Sequence, residues 1–373
     1  MKIGILTFHR VYNYGAVIQA FCTQKILDEL NIDNELIDFS ILKQRDFTAL
    51  YSTHNGMKRF IKTLLLLPYH KNRKIRVEKF DDFTNNIMRL SDCMYKNEED
   101  LKETNKIYDV FMIGSDQIWN LTKKAESSDA YFLKFVDDNK GKFSYASSIG
   151  TADINDLMAK KKMLESFQAV SCREIGGAEI LTKVINREVS TVLDPTLLIK
   201  KEVLANIIKK YDINRNYILY YSLDGFDKRK NNLDILEHLS QKYNWEVAFI
   251  TPEWPKHDFG FDIIDAGPEE FLYLINNANL VCTNSFHGTA LSIKLNKEFL
   301  VLEDVNSKDE RKRSILKQLE LEHRIVKSVD ESYQISQQKI DYSKVNQKLE
   351  ELQNNSAQYL NEALKLCGVE GLQ

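Results

Sequence analysis

The sequence predicts an α/β fold of two domains built on parallel sheets, and three observations predict it. Short apolar runs alternate with helix-length stretches through most of the chain, as βαβ units with helices on both sheet faces require. The 373 residues exceed one ordinary domain, at roughly 100 to 200 residues each. Hydrophobic residues at 43% and charged residues at 28% match folded globular chains and leave no compositional case for disorder.

The opening reads as βαβ. Residues 2–8 form an apolar run ending in a polar turn, 16–30 carry apolar residues at helical spacing, and 35–39 resume a strand pattern. The first eight residues hold one basic residue and no small-residue cleavage site, so they read as a strand rather than a signal peptide. Further strands are expected at 110–113, 143–147, 217–221, 247–251, 280–283 and 299–302, with helical stretches between most of them. A boundary falls near 175–200: a strand leads to Cys172-Arg173-Glu174, a helix follows, and Leu193-Asp194-Pro195 begins a new register. We therefore expect an N-terminal domain over 1–175, a C-terminal domain over 176–335 and a helical segment over 336–373. In that last segment Val345, Leu349 and Leu352 make an i, i+4, i+7 stripe behind Asp341 as N-cap, a closing helix to tie the domains together.

Several function classes drop out. With 51 basic against 54 acidic residues the net charge is −3, which argues against a dedicated nucleic-acid binder. The five cysteines are at least 70 residues apart with no Cys-x-x-Cys, so zinc is unsupported and a reducing cytoplasm fits best. The longest aliphatic run, 64–67, falls far short of the ~20 apolar residues of a membrane span. Gly-x-Gly, the P-loop, His-Glu-x-x-His and Gly-x-Ser-x-Gly do not occur, and no two aspartates sit two apart, so neither a dinucleotide site nor a metal is expected.

Three turns that follow apolar strands carry the candidate chemistry, since open α/β folds bind ligands at the carboxyl ends of their strands. In Cys282-Thr283-Asn284-Ser285-Phe286-His287-Gly288-Thr289-Ala290-Leu291 the start of the next helix attracts anions, and His287 offers a proton or hydrogen bond to phosphate. The alternative is a histidine that merely caps the turn. His9-Arg10-Val11-Tyr12-Asn13-Tyr14-Gly15-Ala16 mixes aromatic faces with amides and hydroxyls as sugar sites do, or is a βα loop turned by Asn13. Gly114-Ser115-Asp116-Gln117-Ile118-Trp119-Asn120 places a carboxylate, an amide and an indole together; Asp116 is either a general base toward a hydroxyl or a helix cap.

Arg173 and Arg311 suit a small, multiply charged anion through their guanidinium forks, or form surface ion pairs with Glu174 and Glu310. Residues 57–79 hold Lys58, Arg59, Lys62, Lys71, Arg73, Lys74, Arg76 and Lys79 against the single acid Glu78, with Phe60 and Ile61 interleaved. That pattern fits a segment lying on an anionic membrane surface, or a solvated basic face over core leucines.

Taken in order, several blocks resemble the polysaccharide pyruvyl transferases: Asn13-Tyr14-Gly15-Ala16, residues 114–120, Ala146-Ser147-Ser148-Ile149-Gly150, Arg173-Glu174 with Gly177-Ala178, Leu193-Asp194-Pro195-Thr196, and Asn284-Ser285-Phe286-His287-Gly288-Thr289. The resemblance implies two Rossmann-like domains facing across a cleft, the GT-B arrangement, with the donor in the C-terminal half and the acceptor in the N-terminal half. It implies a transferase that needs no cofactor. The enzyme would move a pyruvyl group from phosphoenolpyruvate to a sugar of a surface polysaccharide or lipid-linked precursor, close a ketal and release phosphate. His287 and Asp116 would then be catalytic. Arg173, Arg311, Ser285, Gly288 and Thr289 would hold the donor, and Asn13, Tyr14, Gln117 and Trp119 the acceptor. Better-studied members carry Arg-Leu-His where this chain has Ser285-Phe286-His287. The expected place is the cytoplasm, at the inner face of the membrane where residues 57–79 would touch it. Two rivals are a GT-B glycosyltransferase using a nucleotide sugar and a non-catalytic glycan-assembly subunit.

Overall fold

Parallel pairing throughout is what the double burial of the strand runs demands, and the computed structural model has it; it describes residues 1–40, 67–122, 128–223, 230–251, 258–303 and 310–370. The first sheet holds β1 (Lys2–Leu6), β2 (Asp33–Leu36), β3 (Val110–Ile113) and β4 (Gly141–Ser144) in the order β2-β1-β3-β4. Its register sets Ile5 opposite Leu36 on one side and Met112 on the other. Two short strands, β5 (Ser171–Cys172) and β6 (Ser190–Thr191), pair with each other, and single bridges from Phe143 to Ala169 and Ser147 to Cys172 carry the ladder on from β4.

The second sheet takes β7 (Tyr217–Tyr221), β8 (Glu246–Ile250), β9 (Phe261–Asp262), β10 (Leu280–Thr283), β11 (Phe299–Leu302) and β12 (Ile325–Val326) in the order β12-β11-β10-β7-β8-β9. Every residue of β3, β7, β10 and β11 is buried, which explains why these runs are apolar without alternation.

The helix Ile175–Ile185 packs on Ile154–Met158 and Lys161–Glu165 and joins β5 to β6. Strand β6 falls inside the 175–200 stretch where the boundary was expected, and a strand of two residues leaves no periodic trace in a sequence. Helix α1 (Tyr14–Glu29) is capped by the Asn13 side chain, which accepts the Ala16 N–H, and is buried on all sides from Tyr14 through Gln24. Such all-round burial marks a helix inside the protein rather than on it. It packs on the short helix Pro195–Leu198 and on two helices of the second half, Pro268–Asn277 and Phe286–Lys294.

Helix α2 (His70–Asn86) corrects the reading of the basic segment in part. Residues 57–66 lie outside the described residues. In the remainder Arg76 lies over the rings of Tyr14 and Phe80, and Lys79 pairs with Glu270 at 2.6 Å, so these two cations face protein; Lys71 and Lys74 are exposed. No described helix is long and apolar enough to cross a membrane. Helix α3 (Tyr342–Leu366) reaches both sheets. Its Tyr342 hydroxyl donates to the Lys297 carbonyl, Ser356 accepts the Leu193 N–H, and the Tyr359 hydroxyl donates to the Ser144 carbonyl.

Candidate active site

The loops at the carboxyl ends of β3, β4, β5, β7 and β10 meet between the two sheets, and Asp194 sits at their centre. It begins the helix Pro195–Leu198 and is 1% exposed. One carboxylate oxygen accepts the Thr196 N–H (3.0 Å) and hydroxyl (2.7 Å). The other accepts Arg173 Nη1 (2.8 Å) and Ser115 Oγ (2.9 Å) and lies 3.6 Å from His287 Nε2. Burial pushes this carboxyl up, but His287, Arg173 and the Thr196 N–H outweigh burial and hold it well below the usual carboxylate range.

Arg173 follows β5 and is 4% exposed, its guanidinium 4.0 Å from the Phe286 ring centroid. Burial opposes its charge, yet Asp194, Asp116 and Glu174 around it favour the cation more strongly. Two of its N–H positions, Nε and Nη2, are buried without a hydrogen-bond partner, and Nη2 lies 3.7 Å from Asp116 Oδ1. Such open positions on a buried cation are rare. Next along the chain, Glu174 accepts Ser148 Oγ (2.9 Å) and Ile149 N–H (2.8 Å) and thereby fixes the loop after β4. Burial raises its pKa, moderated by Arg173 and Arg311. Arg311 is half-buried on the helix Glu310–Gln318, whose Ser314 hydroxyl accepts the Ile175 N–H. The two arginines thus approach from different halves of the chain.

His287 lies in the first turn of the helix Phe286–Lys294, 6% exposed. Its Nε2 has no hydrogen-bond partner, and its ring rests on Gly15 of α1. A Cβ on Gly15 would stand 2.2 Å from Nδ1, so glycine is what lets the first half supply the seat for the second half's imidazole. Asp116 has φ +74°, a left-handed conformation that Asp tolerates better than most residues; its Oδ1 accepts the Gln117 N–H at 2.8 Å.

His287, Asp116 and Arg173 are therefore brought together around Asp194, and Arg311 is near enough to act on Glu174. The remaining expected residues divide. Ser285 Oγ caps the helix by accepting the Gly288 N–H (3.4 Å), Thr289 donates its hydroxyl back to the Ser285 carbonyl, and Gly288 packs against Thr283 and Tyr221. These three shape the turn that presents His287. Asn13 and Gln117 are half-buried at the loop ends, Gln117 accepting from Asn120.

Tyr14 and Trp119 need correction. Tyr14 is stacked on Phe271 at 4.3 Å with its hydroxyl on the Ala266 carbonyl, and Trp119 is fully buried against Phe132 with Nε1–H on the Tyr131 carbonyl. Both are core aromatics with no face left for a sugar. Asp194 was missed as a site residue; its signal was the Leu193-Asp194-Pro195-Thr196 block.

The fold defines the class: a GT-B-type α/β protein of two Rossmann-like units. The chain is similar to a putative UDP-N-acetylglucosamine 2-epimerase from Listeria monocytogenes, with 12% identity and TM-score 0.57, covering 98% of this chain and 96% of that one. The enzyme of that name from Rickettsia bellii matches at 12% identity and TM-score 0.56, covering 98% and 95%. The one from Neisseria meningitidis bound to UDP-GlcNAc gives 13%, 0.54, 98% and 100%. At such identities the likeness speaks for the fold alone. No curated protein matches the sequence. The pattern of one family, described as polysaccharide pyruvyl transferase, matches residues 13–304, and the chain belongs to that family of transferases.

Proposed function

We propose that the protein moves the pyruvyl group of phosphoenolpyruvate onto a sugar of a surface polysaccharide or its lipid-linked precursor, working on the cytoplasmic side of the membrane and releasing inorganic phosphate. One observation carries the reading: the buried Arg173 guanidinium has two N–H positions without a hydrogen bond, beside a His287 Nε2 that makes none and stands 3.6 Å from Asp194. A compact donor bearing carboxylate and phosphate groups satisfies all three, with Arg311 adding charge from the facing half.

The chemistry follows from these groups. A proton on His287 Nε2 passes to the methylene carbon of the enol, and positive charge develops on the neighbouring carbon. Asp194, 3.6 Å from Nε2, supplies the counter-charge that orients the imidazolium. A sugar hydroxyl attacks the electrophilic carbon and gives its proton to Asp116. The carbon–oxygen bond to phosphate then breaks, and phosphate leaves with the electron pair, held by Arg173 and taking the proton from Asp116. A second sugar hydroxyl attacks the resulting oxocarbenium carbon, closes the ketal and returns its proton to His287 Nε2.

The test is phosphate released from phosphoenolpyruvate in the presence of lipid-linked glycans extracted from the host. His287→Ala should lower that release by at least about a hundredfold with an unchanged circular dichroism spectrum. An active, folded variant would remove His287 from the chemistry. Absence of release with any acceptor, together with stabilisation by a nucleotide sugar, would favour a glycosyltransferase instead.

A further inference from the structure

We propose that Tyr221 and Arg76 touch the anionic donor directly, as a second anion-binding pair beside Arg173 and His287; the assignment rests on the donor reading above. Four other buried tyrosines place their hydroxyls on a backbone carbonyl: Tyr14 on Ala266 (2.7 Å), Tyr145 on Leu193 (3.0 Å), Tyr217 on Leu274 (2.8 Å) and Tyr359 on Ser144 (2.7 Å), and Tyr108 donates to Glu35. Tyr221 is 2% exposed, and its hydroxyl makes no well-formed hydrogen bond, although the Ser285 side chain is near enough to lower its pKa. An unsatisfied buried hydroxyl costs stability and is kept where something else completes it.

Its position is fixed by packing. The ring lies edge-on to Phe271 (4.7 Å) and Tyr14 (5.9 Å), and a Cβ on Gly288 would meet its Cδ1 at 3.0 Å. The residue ends β7 directly beside Thr283, the last residue of β10, whose chain continues into Ser285 and His287. Burial and the neighbouring Tyr14 push the phenol's pKa up, so it donates as a neutral O–H across the physiological range.

Arg76 arrives from α2, in the first half. Its Nη2 donates to the Tyr12 carbonyl (3.1 Å) and its guanidinium lies 4.9 Å from the Tyr14 ring centroid, while Nε is buried without a partner. Its charge acts on both Tyr14 and Tyr221. A neutral donor and a cation, each with an open position, make a site for an anionic oxygen, and the two halves each contribute one member.

Thermal unfolding with and without phosphoenolpyruvate, and the KM for phosphoenolpyruvate, test the assignment on Tyr221→Phe and Arg76→Met. The phenylalanine variant should unfold at the same or a higher temperature than wild type when free of ligand, since only an unsatisfied group is lost. Its phosphoenolpyruvate-induced shift should shrink, and KM should rise about tenfold or more, as for loss of a hydrogen bond to a charged group. Arg76→Met should raise KM likewise. A wild type stabilised by phosphoenolpyruvate beside a Tyr221→Phe variant with equal shift and unchanged KM would overturn the assignment and leave the donor reading standing. So would a ligand-free Tyr221→Phe protein that melts lower with unchanged KM, because the hydroxyl would then have a structural partner. A wild type that ignores phosphoenolpyruvate would sink both.

Discussion

Replacing Asp194 by asparagine keeps the side chain's shape and removes its charge. The carboxylate accepts four hydrogen bonds, from Arg173, Ser115 and twice from Thr196. An amide retains the Thr196 pair through its oxygen, and its NH2 can donate to Ser115, whose own proton turns to the Ala146 carbonyl, but it then faces the obligate donor Arg173. The buried guanidinium is left with Asp116 at 3.7 Å as its nearest counter-charge. Breaking one side of a buried ion pair costs about 3–5 kcal/mol, so Asp194→Asn should lose that much in urea unfolding at pH 7. The pH dependence has a definite sign. The native pKa of Asp194 lies below the roughly 3.9 of an unfolded aspartate, so the stabilisation is full above that value and is lost as pH falls, when the unfolded chain takes up the proton first. Stability measured at pH 7, 3.5 and 2.5 should therefore show the two proteins drawing together at the two acid points, below the unfolded pKa. A loss under about 1 kcal/mol at pH 7, or a difference that stays constant on acidification, would refute the account of Asp194 as an ionised counter-charge.

Gly15→Ala should drive the His287 ring from its seat, because the added methyl would stand 2.2 Å from Nδ1. We expect phosphate release to fall about a hundredfold for a stability change of about 1–3 kcal/mol, and equal activity would show that the ring has room. Trp119→Phe loses the bond to the Tyr131 carbonyl and should cost about 1–3 kcal/mol without a selective rise in acceptor KM; such a rise would return the indole to the acceptor surface. Burial, with Lys201 nearby, lowers Lys294 from 10.5 to about 8 despite the opposing Cys22, Glu202 and Glu29. Between those values the unfolded chain binds more protons than the native one, so stability rises with pH there, and Lys294→Met should flatten that rise in urea unfolding at pH 8 and 10.

The strands were legible wherever burial is two-sided. Val110–Ile113, Tyr217–Tyr221, Leu280–Thr283 and Phe299–Leu302 were expected at those bounds, since a short uninterrupted apolar run has few other solutions. Asp341 caps α3 as expected, through bonds to the N–H groups of Ser343 and Lys344. A strand leading to Cys172 was expected and β5 ends there, whereas its partner β6, at two residues, was invisible. Of the site, the turns were readable because each interrupts an apolar run. Aromatic residues in those turns misled: Tyr14 and Trp119 point back into the core, and nothing in a linear sequence tells a ring that stacks on substrate from one that stacks on phenylalanine. The partnership of Asp194 with Arg173 and His287 spans three separate loops and follows only from the sheets' relative placement.

The bond from Tyr359 to the Ser144 carbonyl joins residues 215 positions apart. At a synthesis rate of about 5–20 residues per second, roughly 10–40 s separate the emergence of the two from the ribosome. During that interval every strand of the first sheet has been made, but the long helix that covers the end of β4 has not. The nascent protein therefore carries an uncapped sheet flank around Ser144 and Gly141, where Cys367 later packs. Chaperone capture during synthesis belongs on that flank, and substitutions along α3 should lower the yield of folded protein from cells more than they lower the activity of the molecules that succeed.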